Sequence, residues 1–326
     1  VRVGVLGAGA VGGTLAALLA AQGNDVTVTL RGDAAETVRE HGIRVSGAFG
    51  ELSASVRVAD RLTEPQDLVL VTTKAMDAVA AISGSAGAAG SGTLIVVQNG
   101  LEAIPSALAV LPDARILGGL ALFAASLLSP GEVRVTASGA LYVGPADAAD
   151  PAVAVLAAAL PTTAVRDFRG LQWTKLVVNQ VNALPAITGL SVQEVVADRG
   201  LRRLLTRSIQ ETVRTGRASG VRFGTMSGLS DPLLRLVGAA PPLLAEALPR
   251  LMARRMGSVP NPGSTLQSIR RGRLTEVDYL NGAVLAAAQA AGRTAPVNEA
   301  LTGLVHEVER TGQFLLPAEV VRRIPA

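Results

Sequence analysis

The chain has 326 residues, 49% hydrophobic and 17% charged, with a net charge of +4, so it can bury a large core across two domains of ordinary size. It contains no cysteine and two histidines, His41 and His306, far apart in sequence; this removes disulfides, thiol nucleophiles and Cys-ligated metals, and argues against a Ser-His-Asp triad or a histidine metal site. Acids and bases are interspersed and no basic block is interleaved with aromatics, which argues against nucleic-acid binding.

Residues 3–23 carry no charge, but Gly7, Gly9, Gly12 and Gly13 interrupt them, and a membrane-spanning helix would not tolerate that cluster. The pattern predicts a buried strand at 1–6, a glycine turn and a helix at 12–22. Residues 25–30 alternate as a second strand. Apolar runs at 68–72 and 93–97, bounded by turn signals, suit parallel strands. The stretch 83–92 reads as a loop or weak helix. Strand and helix alternate through about residue 110, the pattern of a doubly wound α/β domain. Residues 133–137 and 141–143 are expected to form a hairpin-type addition, and 151–160 a helix. Strand signals then fade, and from about residue 170 the pattern is helical. The expectation is an α/β Rossmann-type dinucleotide-binding domain over 1–168, followed by a mainly α-helical substrate domain over 169–326.

Gly7-Ala8-Gly9-Ala10-Val11-Gly12 is a GxGxxG motif placed after a strand and at the opening of a helix. Gly7 permits the tight turn, Gly9 lets a pyrophosphate approach the backbone, and Gly12 lets helix and strand pack closely. The helix N-terminus adds a partial positive charge facing the phosphates. The second strand ends Thr29-Leu30-Arg31. An acid there would accept from the ribose hydroxyls of NAD; its absence, with Arg31 placed to meet a 2′-phosphate, favours NADPH. Asp33 lies close enough to compete. Gln98-Asn99-Gly100 follows a strand end, where ligands bind in such sheets, so Asn99 is a candidate for the nicotinamide or substrate.

Lysines are rare: of 30 Lys and Arg, only Lys74 and Lys175 are lysines. A position that retains Lys in such a chain suggests a need for a compact ammonium able to release its proton. On a helix at 100° per residue, Asn179 lies about 40° from Lys175 and Asn182 about −20°, so the three form one narrow stripe. Asn is a poor helix former, and two beside a rare Lys point to a polar small molecule bearing a carbonyl and hydroxyls. Further on, Ser264 is able to cap a helix. Thr275-x-x-Asp278 reads as a capping box, which would put Glu276 in a first helical turn facing a cleft.

Taken together, these motifs resemble the ketopantoate reductase family. They include the glycine turn, the Leu30-Arg31 tip, Thr73-Lys74, Gln98-Asn99-Gly100 and the Lys175-x₃-Asn179 helix. Ser264-x-x-Gln267 and Thr275-Glu276-x-Asp278-Tyr279-x-Asn281-Gly282 complete the set. The resemblance implies NADPH and a small 2-oxo acid bound between the two domains. It implies Lys175 as catalytic acid, Asn179 and Asn182 as substrate ligands, and Ser264 on the carboxylate. Asn99 and Glu276 would lie near the nicotinamide ribose and reactive centre, with Glu276 tuning Lys175. Lys74 would be on the cofactor side, and Ala125 would line the nicotinamide pocket. The family often has its second Asn eight residues after the Lys; here Asn182 fills that role from the preceding position, and Ser268 stands where Asp is frequent. The expected partners include no membrane and no metal. A homodimer and a cytoplasmic location complete the expectation. A reductase of another 2-oxo or imino acid, and a non-enzymatic NADPH sensor, stay open as alternatives.

Overall fold

The computed structural model describes residues 1–324, which divide into two compact units, Val1–Phe168 and a second beginning at Arg169. Among the described residues the strands all lie in the first unit: β1 (Arg2–Leu6), β2 (Asp25–Thr29), β3 (Ile43–Gly47), β4 (Leu52–Ala54), β5 (Arg57–Ala59), β6 (Leu68–Val71), β7 (Thr93–Val97), β8 (Arg115–Ala121), β9 (Ala124–Ser129), β10 (Glu132–Ala137), β11 (Leu141–Gly144) and β12 (Thr162–Ala164). Eight form one sheet in the order β12-β11-β8-β7-β6-β1-β2-β5, and four form a smaller sheet, β4-β3-β10-β9.

The centre of the large sheet is parallel: β1 pairs with β2 and β6, and β7 with β6 and β8. Such strands are covered on both faces, which is why their sequences run apolar without alternation. Leu68 and Leu70 of β6 enter one apolar cluster while Val69 and Val71 enter the other, and Ile95/Val97 and Leu94/Val96 of β7 divide in the same way. The helix Ala10–Ala21 is buried from two directions. Leu15, Ala16 and Leu19 share a cluster with Val3 and Val5 of the large sheet and with Ile43, Val45, Val133 and Val135 of the small one. That double burial accounts for its uncharged sequence.

The hairpin expected from residues 133–137 and 141–143 does not form. β10 lies in the small sheet between β3 and β9, whereas β11 pairs antiparallel with β8 in the large one. The hairpin partner of β10 is the preceding β9. Both segments alternate, but Val133 and Val135 cover the first helix while Leu141 and Val143 complete the large sheet, a distinction that periodicity cannot express. Gly139 makes the crossing possible: a Cβ there would stand 2.6 Å from the Leu122 carbonyl.

The second unit is helical among its described residues. At its centre runs Arg199–Ala218, burying Leu201, Leu205, Ser208, Ile209, Thr212 and Val213 along one face. Asp198 caps it by accepting from the Leu201 N–H at 2.8 Å. The preceding helix, Val192–Ala197, carries a full Ser191/Glu194 capping box. The buried carboxylate of Glu246 is paired with Arg202 at 2.7 Å and Arg250 at 3.1 Å. No helix among the described residues is long and apolar enough to cross a membrane.

Two helical glycines give opposite predictions. A Cβ on Gly216 would stand 2.9 Å from both the Phe223 and Trp173 rings, whereas one on Gly303 would meet nothing within 4 Å. Replacing a helical Gly by Ala gains about 0.5–1 kcal/mol from backbone entropy, but overpacking a core costs roughly 1–3 kcal/mol. Gly303→Ala should therefore raise the urea midpoint and Gly216→Ala should lower it; a stabilised Gly216→Ala would show that the ring pocket yields freely.

Candidate active site

In the first unit, the glycine turn leaves β1 at its carboxyl end. Gly7 has φ +92°, open to glycine at little cost, and a Cβ on Gly12 would lie 2.0 Å from the Gly7 carbonyl oxygen. The turn is pinned from both neighbouring strands. The Gly7 N–H donates to Thr29 Oγ1 at 3.1 Å, and the Thr72 hydroxyl donates to the Gly7 carbonyl at 2.6 Å. Neither threonine was singled out by the sequence, although both close apolar strand runs.

Nothing lies within 4 Å of the place a Gly9 Cβ would occupy. The helix Ala10–Ala21 has no side-chain cap and no acid in its first turn, so its leading N–H groups are left for another acceptor. Thr73, beside Gly7, carries a buried hydroxyl with no partner. An open backbone cradle, uncapped donors and an orphaned hydroxyl fit a pyrophosphate-bearing nucleotide. Ala8, Ala10 and Val11 complete the turn.

The order β2-β1-β6-β7 sets the ends of four parallel neighbours side by side. Arg31 follows β2, the glycine turn follows β1, Thr73 and Lys74 follow β6, and Gln98 and Asn99 follow β7. The Gln98 amide donates to the Thr73 carbonyl at 2.7 Å and joins the last two ends. Arg31 is exposed and enters no ion pair among the described residues. Asp33 begins the next helix, Asp33–His41. Ala125 lies on β9 of the small sheet opposite Val135, packed on the same apolar cluster as Ala8.

In the second unit, Lys175 and Asn179 lie on the helix Phe168–Asn179. The helix does not continue through Asn182, as an even 100° progression would require: residues Gln180–Asn182 form a 3₁₀ turn, and a new helix, Ala183–Thr188, follows. A 3₁₀ turn advances about 120° per residue, so Asn182 lies beneath Asn179, roughly 40° from Lys175. The break changes the angle that an even helix would give. Asn179 and Asn182 are buried.

Lys175 is partly accessible as a residue, while its ammonium is enclosed by protein. It makes no hydrogen bond or ion pair among the described residues. Burial alone brings its pKa down from 10.5 to about 8. Desolvation is the cause of that shift.

Ser264 does not cap a helix. The N-cap of Gly263–Arg270 is Pro262, and the Ser264 N–H donates to Asn182 Oδ1 at 3.3 Å. Gly263 has φ +70°, and a Cβ there would reach within 2.6 Å of that same oxygen. The contact brings the exposed residue Ser264 beside Asn182. The box expected from Thr275 and Asp278 is also replaced. Glu276 stands just before the helix Val277–Ala290 rather than in its first turn. Thr275 Oγ1 accepts from the Val277 N–H at 3.2 Å, and Glu309 accepts from the Thr275 N–H at 2.6 Å. Asp278 turns instead to His306, 2.9 Å away, and His306 also meets Glu309 at 2.8 Å. Long-range partners took the groups that a local motif would have used.

Comparison with known proteins identifies the family. The family described as ketopantoate reductase PanE/ApbA matches residues 3–148, and its C-terminal counterpart matches residues 167–309. The 2-dehydropantoate 2-reductase of Archaeoglobus fulgidus is 29% identical over 318 residues, covering 94% of this chain and 98% of its own. A PanE/ApbA family ketopantoate reductase from Ralstonia eutropha has a similar structure, with a TM-score of 0.81 at 27% identity over 95% of this chain and 99% of that one. D-mandelate dehydrogenase, solved with NADH and anilino(oxo)acetate, gives a TM-score of 0.82 at 21% identity over 95% and 99% of the two chains, a likeness of fold alone. With both family regions matched across most of its length, the chain belongs to the ketopantoate reductase family.

Proposed function

We propose that this chain reduces 2-dehydropantoate, a 2-oxo acid, to pantoate with NADPH, and that Lys175 is the proton donor. The observation that carries the reading is the Lys175 ammonium, buried, without a carboxylate partner and held near pKa 8. NADPH, when bound, supplies the hydride that reduces the C2 carbonyl. As negative charge grows on the carbonyl oxygen, the Lys175 ammonium stabilises it and transfers a proton to it, which leaves a hydroxyl and a neutral amine. The amine then regains its proton from water.

Asn179 and Asn182 offer amides to the substrate hydroxyl. The Asn182 oxygen already accepts from Ser264, so this side chain presents its NH₂ donor. Ser264 receives the carboxylate. Gly7, Gly9 and Gly12 shape the pyrophosphate cradle, Lys74 and Ala125 serve the cofactor, and Asn99 and Glu276 the nicotinamide ribose and reactive centre. Arg31 supports NADPH over NADH because it is exposed, unpaired among the described residues and not preceded by a strand-tip acid. Binding energy directed at a hydroxyl favours 2-dehydropantoate over 2-oxoisovalerate, since the smaller acid leaves buried amides unmatched at about 1–3 kcal/mol. Steady-state assays with NADPH and a panel of 2-oxo acids test the reading; equal efficiency with both acids would point to a reductase of another substrate.

Lys175→Ala should lower kcat by roughly 10²–10⁴-fold, the span of a general acid. Lys175→Arg should not restore it, because a guanidinium keeps the charge but does not release a proton. In the wild type, reduction needs the protonated amine, so kcat/KM should be level at low pH and fall as pH rises through about 8. An active Arg variant, or a profile flat to pH 10, would leave Lys175 with charge alone.

The same burial predicts a stability effect. A pKa held below its unfolded value opposes folding fully at pH below about 8 and fades as pH rises towards 10.5. Lys175→Met should therefore raise the denaturation midpoint at pH 7 while removing turnover; unchanged or lower stability would contradict the buried, unpaired ammonium.

For the cofactor, Arg31→Ala should weaken NADPH by about tenfold or more and NADH little, since the two differ only at the 2′ position and charge-assisted bonds contribute roughly 1.5–3 kcal/mol. Fluorescence titration of both nucleotides checks this, and equal losses would assign Arg31 another role.

A further inference from the structure

Beneath the Lys175 stripe lies a cluster of buried polar side chains that the proposed reaction does not use. Gln180 and Asn298 are 0% exposed, Asn281 1% and Ser208 0%. They come from four segments: the 3₁₀ turn Gln180–Asn182, the long helix Arg199–Ala218, the helix Val277–Ala290 and the helix Pro296–Thr311. Asn281 stands at the centre, and its two N–H groups serve two acceptors. One donates to Gln180 Oε1 at 2.8 Å and the other to Asn298 Oδ1 at 3.0 Å. The Ser208 hydroxyl donates to Gln180 Oε1 at 2.6 Å and lies 3.1 Å from Asn298 Oδ1.

The remaining donors are also placed. The Gln180 amide donates to the Leu176 carbonyl at 3.1 Å, one residue past Lys175. The Asn298 amide donates to Glu211 at 2.8 Å, and Glu211 also accepts the Val297 and Asn298 N–H groups. A buried network with its donors and acceptors matched rigidifies what it joins. Here it joins two places of chemical interest. Gln180 opens the 3₁₀ turn that separates Asn179 from Asn182, and Asn281 follows Glu276 by little more than one helical turn.

We propose that Asn281 is a positioning residue for the reduction. Through Gln180 and Asn298 it fixes the register between the Lys175–Asn182 run and the helix that begins after Glu276. The inference rests on the proposed reading of Lys175 and Glu276, and it adds a residue that touches neither substrate nor cofactor. An apolar residue of similar volume at 281 would leave Gln180 and Asn298 to share one serine hydrogen, and the 3₁₀ turn would lose one of its two anchors. Misplacement of reacting groups by about 1 Å costs on the order of 10²-fold in rate.

The test compares Asn281→Leu with Val284→Ala, a core truncation on the same helix at a fully buried site that leaves the cluster intact. Thermal denaturation matches the stability of the two variants; steady-state kinetics with 2-dehydropantoate and fluorescence titration with NADPH follow. The expected result is a 10- to 100-fold loss of kcat in Asn281→Leu, with the NADPH Kd within twofold of wild type and kcat preserved in Val284→Ala. Equal kcat losses in the two variants, or wild-type kcat in Asn281→Leu, overturn the proposal. If Asn281→Leu does not fold, Ser208→Ala removes the shared hydroxyl and should lower kcat three- to tenfold against the same control, with wild-type kcat overturning the proposal. A wild-type protein inactive on 2-dehydropantoate would overturn the parent reading instead, and the NADPH titration keeps the two failures apart.

Discussion

An ammonium enclosed by protein with no carboxylate beside it opposes folding. Taking the charge out of water disfavours it, and a shift from 10.5 to about 8 corresponds to a penalty on the order of 3 kcal/mol at neutral pH. Stability for domains of this size is itself only roughly 5–15 kcal/mol, so the surrounding structure must offset a large local loss. The same unit shows how a buried charge is ordinarily satisfied: Glu246 is met by Arg202 and Arg250. A partner acid beside Lys175 would stabilise the fold, but it would also raise the pKa and hold the proton more tightly. Without such a partner, burial holds the Lys175 pKa near 8.

Neighbouring elements of the second unit fix the position of that group. The helix Phe168–Asn179 packs Leu171, Trp173, Leu176 and Val177 into the core, which fixes the face on which Lys175 stands. The 3₁₀ turn that follows sets Asn182 under Asn179, and Asn182 in turn grips the N-terminus of Gly263–Arg270. In the first unit the equivalent constraint is steric. A Cβ at Gly12 would collide with the Gly7 carbonyl, so the turn persists only with hydrogen there, and with it the open backbone that suits a pyrophosphate.

Much of this was legible in the sequence because its causes are local. A glycine turn between an apolar strand and an uncharged helix states its geometry, and continuous apolar runs announce strands covered on both faces. Lys175 was visible through rarity, since the chain otherwise uses Arg. What escaped depends on partners distant in sequence. Thr275 and Asp278 have the spacing of a capping box, yet Glu309 and His306 lie close enough in space to claim them. Residues 133–143 alternate like a hairpin, yet their two halves cover different layers. The end of the Lys175 helix at Asn179 follows from Gln180 turning into a polar cluster assembled from three other helices, which no window of sequence contains.

The composition allows a direct measurement of the Lys175 titration. With only two lysines in 326 residues, selective labelling of the lysine side chains with ¹³C at Cε gives two resonances, assigned by comparison with Lys175→Arg. The resonance lost in that variant is expected to titrate with a midpoint near 8 in the wild type. A midpoint near the ordinary 10.5 would contradict it, because the ammonium would then be hydrated or paired.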